Sequence, residues 1–420
     1  MRHRSLDDLG PLGFSSIAVH AGERLPDVET RAVVSPISLS VGYEAPSAAA
    51  LEAVLDNTLP GYCYSRFGNP TNAALEETVR RLEGGAAAVA FASGMAAIHG
   101  ALLAAGVKAG DTVVSGRDIY GATQSLFREV FEPLGVRTYM ADQGNLDAFR
   151  ALVSEVRPRV VFVESISNPL LRVADVPAIV ALARDASAAV VVDATFATPR
   201  LVRPLSLGAD VVVHSSTKYL NGHGDVTGGI VVCRDTDTAQ KLRRVSKLAG
   251  AVLGPTEAYL TLRGLKTLSL RFQQQCRSAA AIAARFEHHP AVERVHYPGL
   301  ASHRDFKIAE RLFGGALFGA VVSIELRGAG REEVFAFMDR LRLCVVAPTV
   351  GDIYTEILYP RIASHRDLTP AERGALGIGD NLVRISVGIE EPEDLIRDLE
   401  QALAGAGAGR AVSIGIRPPG

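Results

Sequence analysis

The chain has 420 residues, 48% of them apolar and 21% charged, a composition that predicts a globular protein of two domains and excludes a disordered one. The formal net charge is −2 and no basic block extends beyond Arg2-His3-Arg4, which argues against nucleic acid or a membrane surface as partner. Cys63, Cys233, Cys276 and Cys344 form no C-x-x-C pair, and there is no signal-length leader or run of 18 apolar residues, so a soluble, cytoplasmic protein without a metal site is expected.

Residues 1 to about 60 carry little periodicity, and Pro36, Pro46 and Pro60 interrupt it, so an arm with short helical pieces is expected. Tyr62-Cys-Tyr-Ser-Arg-Phe-Gly-Asn-Pro-Thr71 follows. Alone, Gly-Asn-Pro-Thr reads as a turn and helix start, while Tyr64 and Arg66 offer a phenol and a planar fork of donors suited to an anion. The spacing Leu75, Val79, Leu82 is helical, and Ala88 to Ala92 reads as a strand. Ser93-Gly-Met-Ala-Ala97 then opens another helix. Unpaired N–H groups at such a helix start seat a phosphate, although a plain strand-to-helix turn explains Gly94 as well.

Strands are predicted at Thr112 to Ser115, Val136 to Met140, Val160 to Glu164, Val190 to Asp193 and Val211 to Val213. Helices are expected between them, from about Gln124 and through Phe149 to Val156. This alternation predicts a mostly parallel sheet with helices on both faces, whose ligands sit beyond the carboxyl ends of the strands. Ser93, Asp193 and Ser215 to Lys218 all fall at such ends. A carboxylate buried at Asp193 needs a cationic partner or good donors. After about residue 260 a long helical pattern runs to Phe286, and Val292 to Tyr297, Gly319 to Glu325 and Leu382 to Val387 read as strands of a smaller domain. Residues 405–420 are too poor in large side chains to pack, and a loose tail is expected there.

The stretch that draws these pieces together is Asp210-Val-Val-Val-His-Ser-Ser-Thr-Lys-Tyr-Leu-Asn-Gly-His-Gly-Asp-Val-Thr-Gly-Gly229. An apolar strand ends in hydroxyls and a single lysine, Lys218, and glycines follow that allow close approach to a ligand. A lysine so placed can hold a phosphorylated aldehyde as a Schiff base while hydroxyls and backbone N–H groups take the phosphate. The segment resembles, position by position, the lysine signature of the pyridoxal-phosphate enzymes of cysteine and methionine metabolism. That family includes cystathionine γ-synthase, cystathionine γ-lyase, methionine γ-lyase and O-acetylhomoserine sulfhydrylase.

The resemblance spans about Phe14 to Leu403. It implies an α/β protein of pyridoxal-phosphate (PLP) fold type I with a smaller α+β C-terminal domain. Its parts would be an arm at 1–62, a cofactor-binding domain at 63–262, a second domain at 263–404 and the tail. It also implies a homotetramer of two catalytic dimers, with Tyr64 and Arg66 reaching into the partner's site. Carried over residue by residue, it implies that Lys218 holds the cofactor, that Asp193 faces the ring nitrogen and that Tyr120 stacks on the ring, its hydroxyl able to serve as acid or base. Asn168 would face the ring hydroxyl, and Ser93, Gly94, Met95, Ser215 and Thr217 would take the phosphate. Arg384 would clamp the substrate α-carboxylate, with Thr349 and Tyr354 bordering its distal end.

Some positions depart from that pattern. Ala194 stands where Asn is usual and Ile166 where Pro is usual, which is expected to alter the pocket wall. Ala122 replaces the Cys typical of methionine γ-lyases. In Ala347-Pro-Thr-Val-Gly-Asp-Ile-Tyr-Thr-Glu-Ile357 the usual Ser-Leu-Gly and following Glu are replaced, which points to a side chain other than that of ordinary cystathionine; Asp352 and Glu356 could accept a cationic distal group, but are expected to face solvent. The resemblance implies γ-elimination from an amino acid, giving a 2-oxo acid and ammonia, or γ-replacement on an O-acyl-homoserine. A protein that only binds a phosphorylated ligand is the alternative from another class. No G-x-G-x-x-G follows a strand, which speaks against a dinucleotide enzyme.

Overall fold

Seven strands make the larger of two sheets: β1 (Ala87–Phe91), β2 (Thr112–Gly116), β3 (Arg137–Ala141), β4 (Val160–Glu164), β5 (Ala189–Asp193), β6 (Val211–His214) and β7 (Gly229–Cys233). The computed structural model describes residues 11–22, 32–363, 366 and 368–406. The outer parts of the expected arm, at 1–10 and 23–31, lie outside these residues, as does nearly all of the expected tail. The sheet order is β1-β7-β6-β5-β4-β2-β3, and every neighbouring pair from β6 to β3 is parallel. β7 runs antiparallel between β1 and β6. The mostly parallel sheet is therefore borne out, and β7 is the strand that the expectation lacked.

Helices cover both faces because the strands are apolar on both. Val211, Val213 and Val231 pack with Ile98, Ala101 and Leu102 of the helix Gly94–Ala104. Their neighbours Val212, Ile230 and Val232 pack on the opposite side with Leu75, Val79 and Leu82. Successive strand residues point to opposite faces, so a continuous valine run needs cover on both. Leu75, Val79 and Leu82 lie on one stripe of the helix Pro70–Glu83, and each is fully buried, contributing about 1.5–3 kcal/mol. That helix starts where the Asn69 side chain accepts from the Thr71 N–H, and it stops at Gly84, whose φ is 75°.

The second sheet has the order β10-β11-β12-β9-β8, from β8 (Val292–His296), β9 (Val321–Leu326), β10 (Val345–Val346), β11 (Glu356–Leu358) and β12 (Leu382–Ser386). Its core joins Ile324, Ile357 and Ile385 to Ala279, Ile282 and Phe286 of the helix Leu268–Phe286. Two elements differ from expectation in detail. The helix expected from Gln124 begins at Gly121 and ends in a wider turn, Phe127–Phe131, in which both phenylalanines are buried. The helix Pro392–Ala406 extends into the first two residues of the expected tail. No helix among the described residues is long and apolar enough to cross a membrane.

Candidate active site

The carboxyl ends of β1, β4, β5 and β6 open onto one cavity of about 600 Å³. Ser93, Gly94 and Met95 line it from the start of the helix Gly94–Ala104, and the Ser93 hydroxyl caps that helix by accepting from the Ala96 N–H at 3.1 Å. Ser215, Thr217 and Lys218 line it from the segment after β6. The two segments touch so closely that a Cβ added to Gly94 would sit 2.8 Å from that of Ser215. At Gly229, which opens β7, an added Cβ would lie 2.3 Å from the Ser93 carbonyl oxygen. Both glycines are thus required by space, and they press a helix N-terminus against a row of hydroxyls.

Strand ends β4 and β5 bring two acids to the same wall. Glu164 and Asp193 are register partners in adjacent parallel strands, and both line the cavity. Burial, followed by the neighbouring Asp193 charge, holds the Glu164 carboxyl well above the usual carboxylate range. Glu164 accepts the Tyr120 N–H at 2.7 Å, which places the Tyr120 ring at the cavity. Removal from water also raises Asp193, against the pull of two hydrogen bonds from Thr195 and the charge of His214. An acid in that state is ready for a cationic N–H donor. Thr195 ties the end of β5 to the segment after β6: its N–H donates to Asp193 at 2.8 Å and its hydroxyl accepts the Ser215 N–H at 2.9 Å.

The Lys218 ammonium donates to the Thr349 hydroxyl at 3.3 Å. Burial and then the Arg384 charge pull Lys218 down to about 8. Arg384, on β12, donates to the Asn168 side chain at 3.1 Å and to the Thr349 carbonyl at 2.8 Å. Its Nε is buried without a hydrogen-bond partner.

The structure thus brings Ser93, Gly94, Met95, Tyr120, Asn168, Asp193, Ser215, Thr217, Lys218 and Arg384 to one cavity, with Thr349 held between Lys218 and Arg384. Tyr64 and Arg66 do not line it; both are exposed, and Arg66 donates instead to the Lys247 carbonyl at 2.7 Å. Tyr354 also lies outside, 58% exposed. Ile166 does form part of the wall, whereas Ala194 is in the hydrophobic core. Asp352 and Glu356 correct the expectation of solvent-facing acids, being only 8% and 5% exposed. The β11–β12 pairing buries Glu356, and Gln275 and Gly224 close over the loop that carries Asp352. Two groups went unremarked in the sequence. Glu164 ends its strand just as Asp193 does, and that position was its available signal. His214 and Glu83, both buried, meet at 2.6 Å, and only the tertiary fold reveals the pair.

A small phosphorylated ring fits these features. Its phosphate suits the helix N-terminus and hydroxyls, a protonated ring nitrogen suits Asp193, and an aldehyde carbon suits the Lys218 amine. The sheet and its cavity define a PLP enzyme of fold type I. The chain belongs to the family described as Cys/Met metabolism PLP-dependent enzyme, which matches residues 15–404. Over 394 residues it is 40% identical to the L-methionine gamma-lyase of Fusobacterium nucleatum subsp. nucleatum, covering 93% of this chain and 98% of that one. It is 43% identical over 394 residues to the cystathionine gamma-synthase of Mycobacterium bovis, covering 94% and 97%. The crystal structure of cystathionine gamma synthase from Xanthomonas oryzae pv. oryzae, in complex with aminoacrylate and cysteine, matches with a TM-score of 0.89 and 38% identity over 95% of this chain and 99% of that one. The family resemblance, the fold and the cofactor expected from sequence are borne out.

Proposed function

We propose that the enzyme catalyses γ-elimination from an amino acid with an uncharged γ-substituent, releasing a 2-oxo acid and ammonia. The observation that carries this reading is the cavity wall: beside Lys218, Arg366 and Arg384 it presents apolar Ile166, Phe196, Val350 and Ile362. Such a wall suits a thioether-like side chain better than a cationic one.

Arg384 holds the substrate α-carboxylate, which orients the Cα–H bond toward Lys218. The Lys218 amine, at about 8, would take the Cα proton, give it up, and then take a Cβ proton as the Cγ–substituent bond breaks and the departing group leaves with a proton. The bound cofactor supplies an electron sink for the pair left at Cα. Asp193 would accept a hydrogen bond from the ring nitrogen, Asn168 would face the ring hydroxyl, and Tyr120 would cover the ring. γ-Replacement on an O-acyl-homoserine is the second reading, favoured by the likeness to cystathionine gamma-synthases. A panel of methionine, cystathionine and O-acyl-homoserines, each with and without a thiol, separates the two. Keto acid and ammonia without added thiol are expected, whereas turnover only with thiol would establish replacement.

Residues 63–262 serve as the cofactor-binding domain and 263–404 as the second domain in this reading, and four unpaired cysteines suit the cytoplasm. Tyr64 and Arg66 complete the site of a neighbouring subunit in a tetramer built from catalytic dimers. What supports this is their place outside their own cavity, together with exposed apolar side chains on the preceding arm such as Val33 (81%), Leu39 (69%) and Val41 (60%). Mixing inactive Arg66→Ala and Lys218→Ala chains is then expected to restore up to about a quarter of wild-type activity, because random exchange makes hybrid dimers with one intact site. Absence of any recovery would show that each chain supplies its own site.

A further inference from the structure

Asn69 is a buried polar residue whose bonds reach beyond the helix it starts. It is 2% exposed, and its Oδ1 accepts the Thr71 N–H at 2.9 Å, capping the helix Pro70–Glu83. That bond fixes which way the amide faces. Its Nδ2 therefore lies among three oxygens: the Ser38 carbonyl at 2.9 Å, the Tyr43 hydroxyl at 3.1 Å and the Ser65 hydroxyl at 3.1 Å. Ser38 and Tyr43 belong to the arm, and Ser65 stands between Tyr64 and Arg66. The arm backbone follows the same loop. The Ser65 N–H donates to the Val41 carbonyl at 2.8 Å, the Tyr43 N–H donates to the Cys63 carbonyl at 3.1 Å, and Gly42 forms an antiparallel bridge with Tyr64. The Ser65 hydroxyl also donates to the Ser40 carbonyl, and the Ser38 and Tyr43 hydroxyls lie 3.0 Å apart. Ser65 is thus turned in toward the arm, while its neighbours Tyr64 and Arg66 are exposed.

We propose that Asn69 is a positioning residue that holds Tyr64 and Arg66 in place for the cofactor site of the neighbouring subunit. A side-chain amide suits this place because one end accepts from the helix start while the other donates to the arm and the loop. Exposed side chains that serve a second subunit gain from a fixed base, since ordering a free loop at each binding event would weaken its hold on an anion. Asn69→Ser keeps an oxygen for the helix cap and removes the amide donors, so it loosens the loop without removing the cap. Tyr43→Phe removes one of the three oxygens around the amide and leaves the cap untouched.

The inference rests on the reading that Tyr64 and Arg66 serve a neighbouring subunit. The first measurement titrates apoprotein of wild type, Asn69→Ser and Tyr43→Phe with PLP, followed by the visible band, with apoprotein Tm alongside. Asn69→Ser is expected to need about tenfold more PLP for half of the band, and Tyr43→Phe about threefold more. The second places Asn69→Ser on either chain of the Arg66→Ala and Lys218→Ala mixture, where the intact site of a hybrid dimer takes its loop from the Lys218→Ala chain. Activity recovered at limiting PLP is expected to fall about tenfold when Asn69→Ser is on the Lys218→Ala chain. It is expected to stay unchanged when Asn69→Ser is on the Arg66→Ala chain. An unchanged PLP requirement overturns the inference, and so does an equal loss from either chain, because a general packing defect does not follow the loop. If Asn69→Ser does not fold, Tyr43→Phe decides by the same two measurements. A parent mixture that recovers no activity would instead remove the reading of Tyr64 and Arg66 itself.

Discussion

Lys218→Ala is expected to lower turnover by at least about a thousandfold, because it deletes both the covalent anchor and the base that moves protons on the substrate. The loss should fall on kcat. Arg384 keeps its donors to Asn168 and Thr349, so the α-carboxylate site survives the substitution. The helix start at Ser93 and the hydroxyls of Ser215 and Thr217 also survive, and they leave a seat for the phosphate. The variant is therefore expected to bind PLP without a covalent bond, which equilibrium dialysis against free cofactor measures. A variant retaining a tenth of wild-type kcat would show that another group serves as the base.

Asp193→Asn carries the second large effect, a loss of about 10²- to 10³-fold in kcat, as expected on removing a fixed electrostatic partner of the reacting system. The amide keeps the volume and can still accept the Thr195 N–H, so the loss reports charge rather than shape. Stability provides a control with a definite sign. The folded chain raises the Asp193 pKa, so this group favours folding below its unfolded pKa and loses that contribution as pH rises through the folded value. Wherever the acid is ionised, its burial is a cost that Asn removes. The Asp193→Asn apoprotein is expected to melt no lower than wild type while its holoenzyme turns over far more slowly. A large fall in apoprotein Tm with proportionate loss of activity would point to a structural role instead.

Much of this site was legible because its parts obey local rules. Val211 to Val213 ending at Ser215-Ser-Thr-Lys218, and Ala88 to Ala92 ending at Ser93-Gly94, each show a strand stopping where polar residues begin. Parallel-sheet geometry then gathers strand ends that lie far apart in the chain. β7 escaped because its pairing with β1 spans more than a hundred residues, and its short apolar run, Ile230 to Cys233, follows the glycines of the lysine loop. The burial of Asp352 and Glu356 was hidden for a related reason. Glu356 begins a three-residue strand whose cover comes from β12, about thirty residues later, and no local pattern marks a strand that short. Tyr64 and Arg66 illustrate the converse, since a sequence motif does not say which copy of the chain it serves.

The central claim is that Lys218 carries the cofactor. Borohydride reduction of the holoenzyme, followed by peptide mass mapping, tests it most directly. The account predicts one pyridoxyl adduct per chain, on the peptide containing Lys218, with loss of the visible band in step with the modification. An adduct confined to another lysine, or none on a protein supplied with PLP, would contradict it.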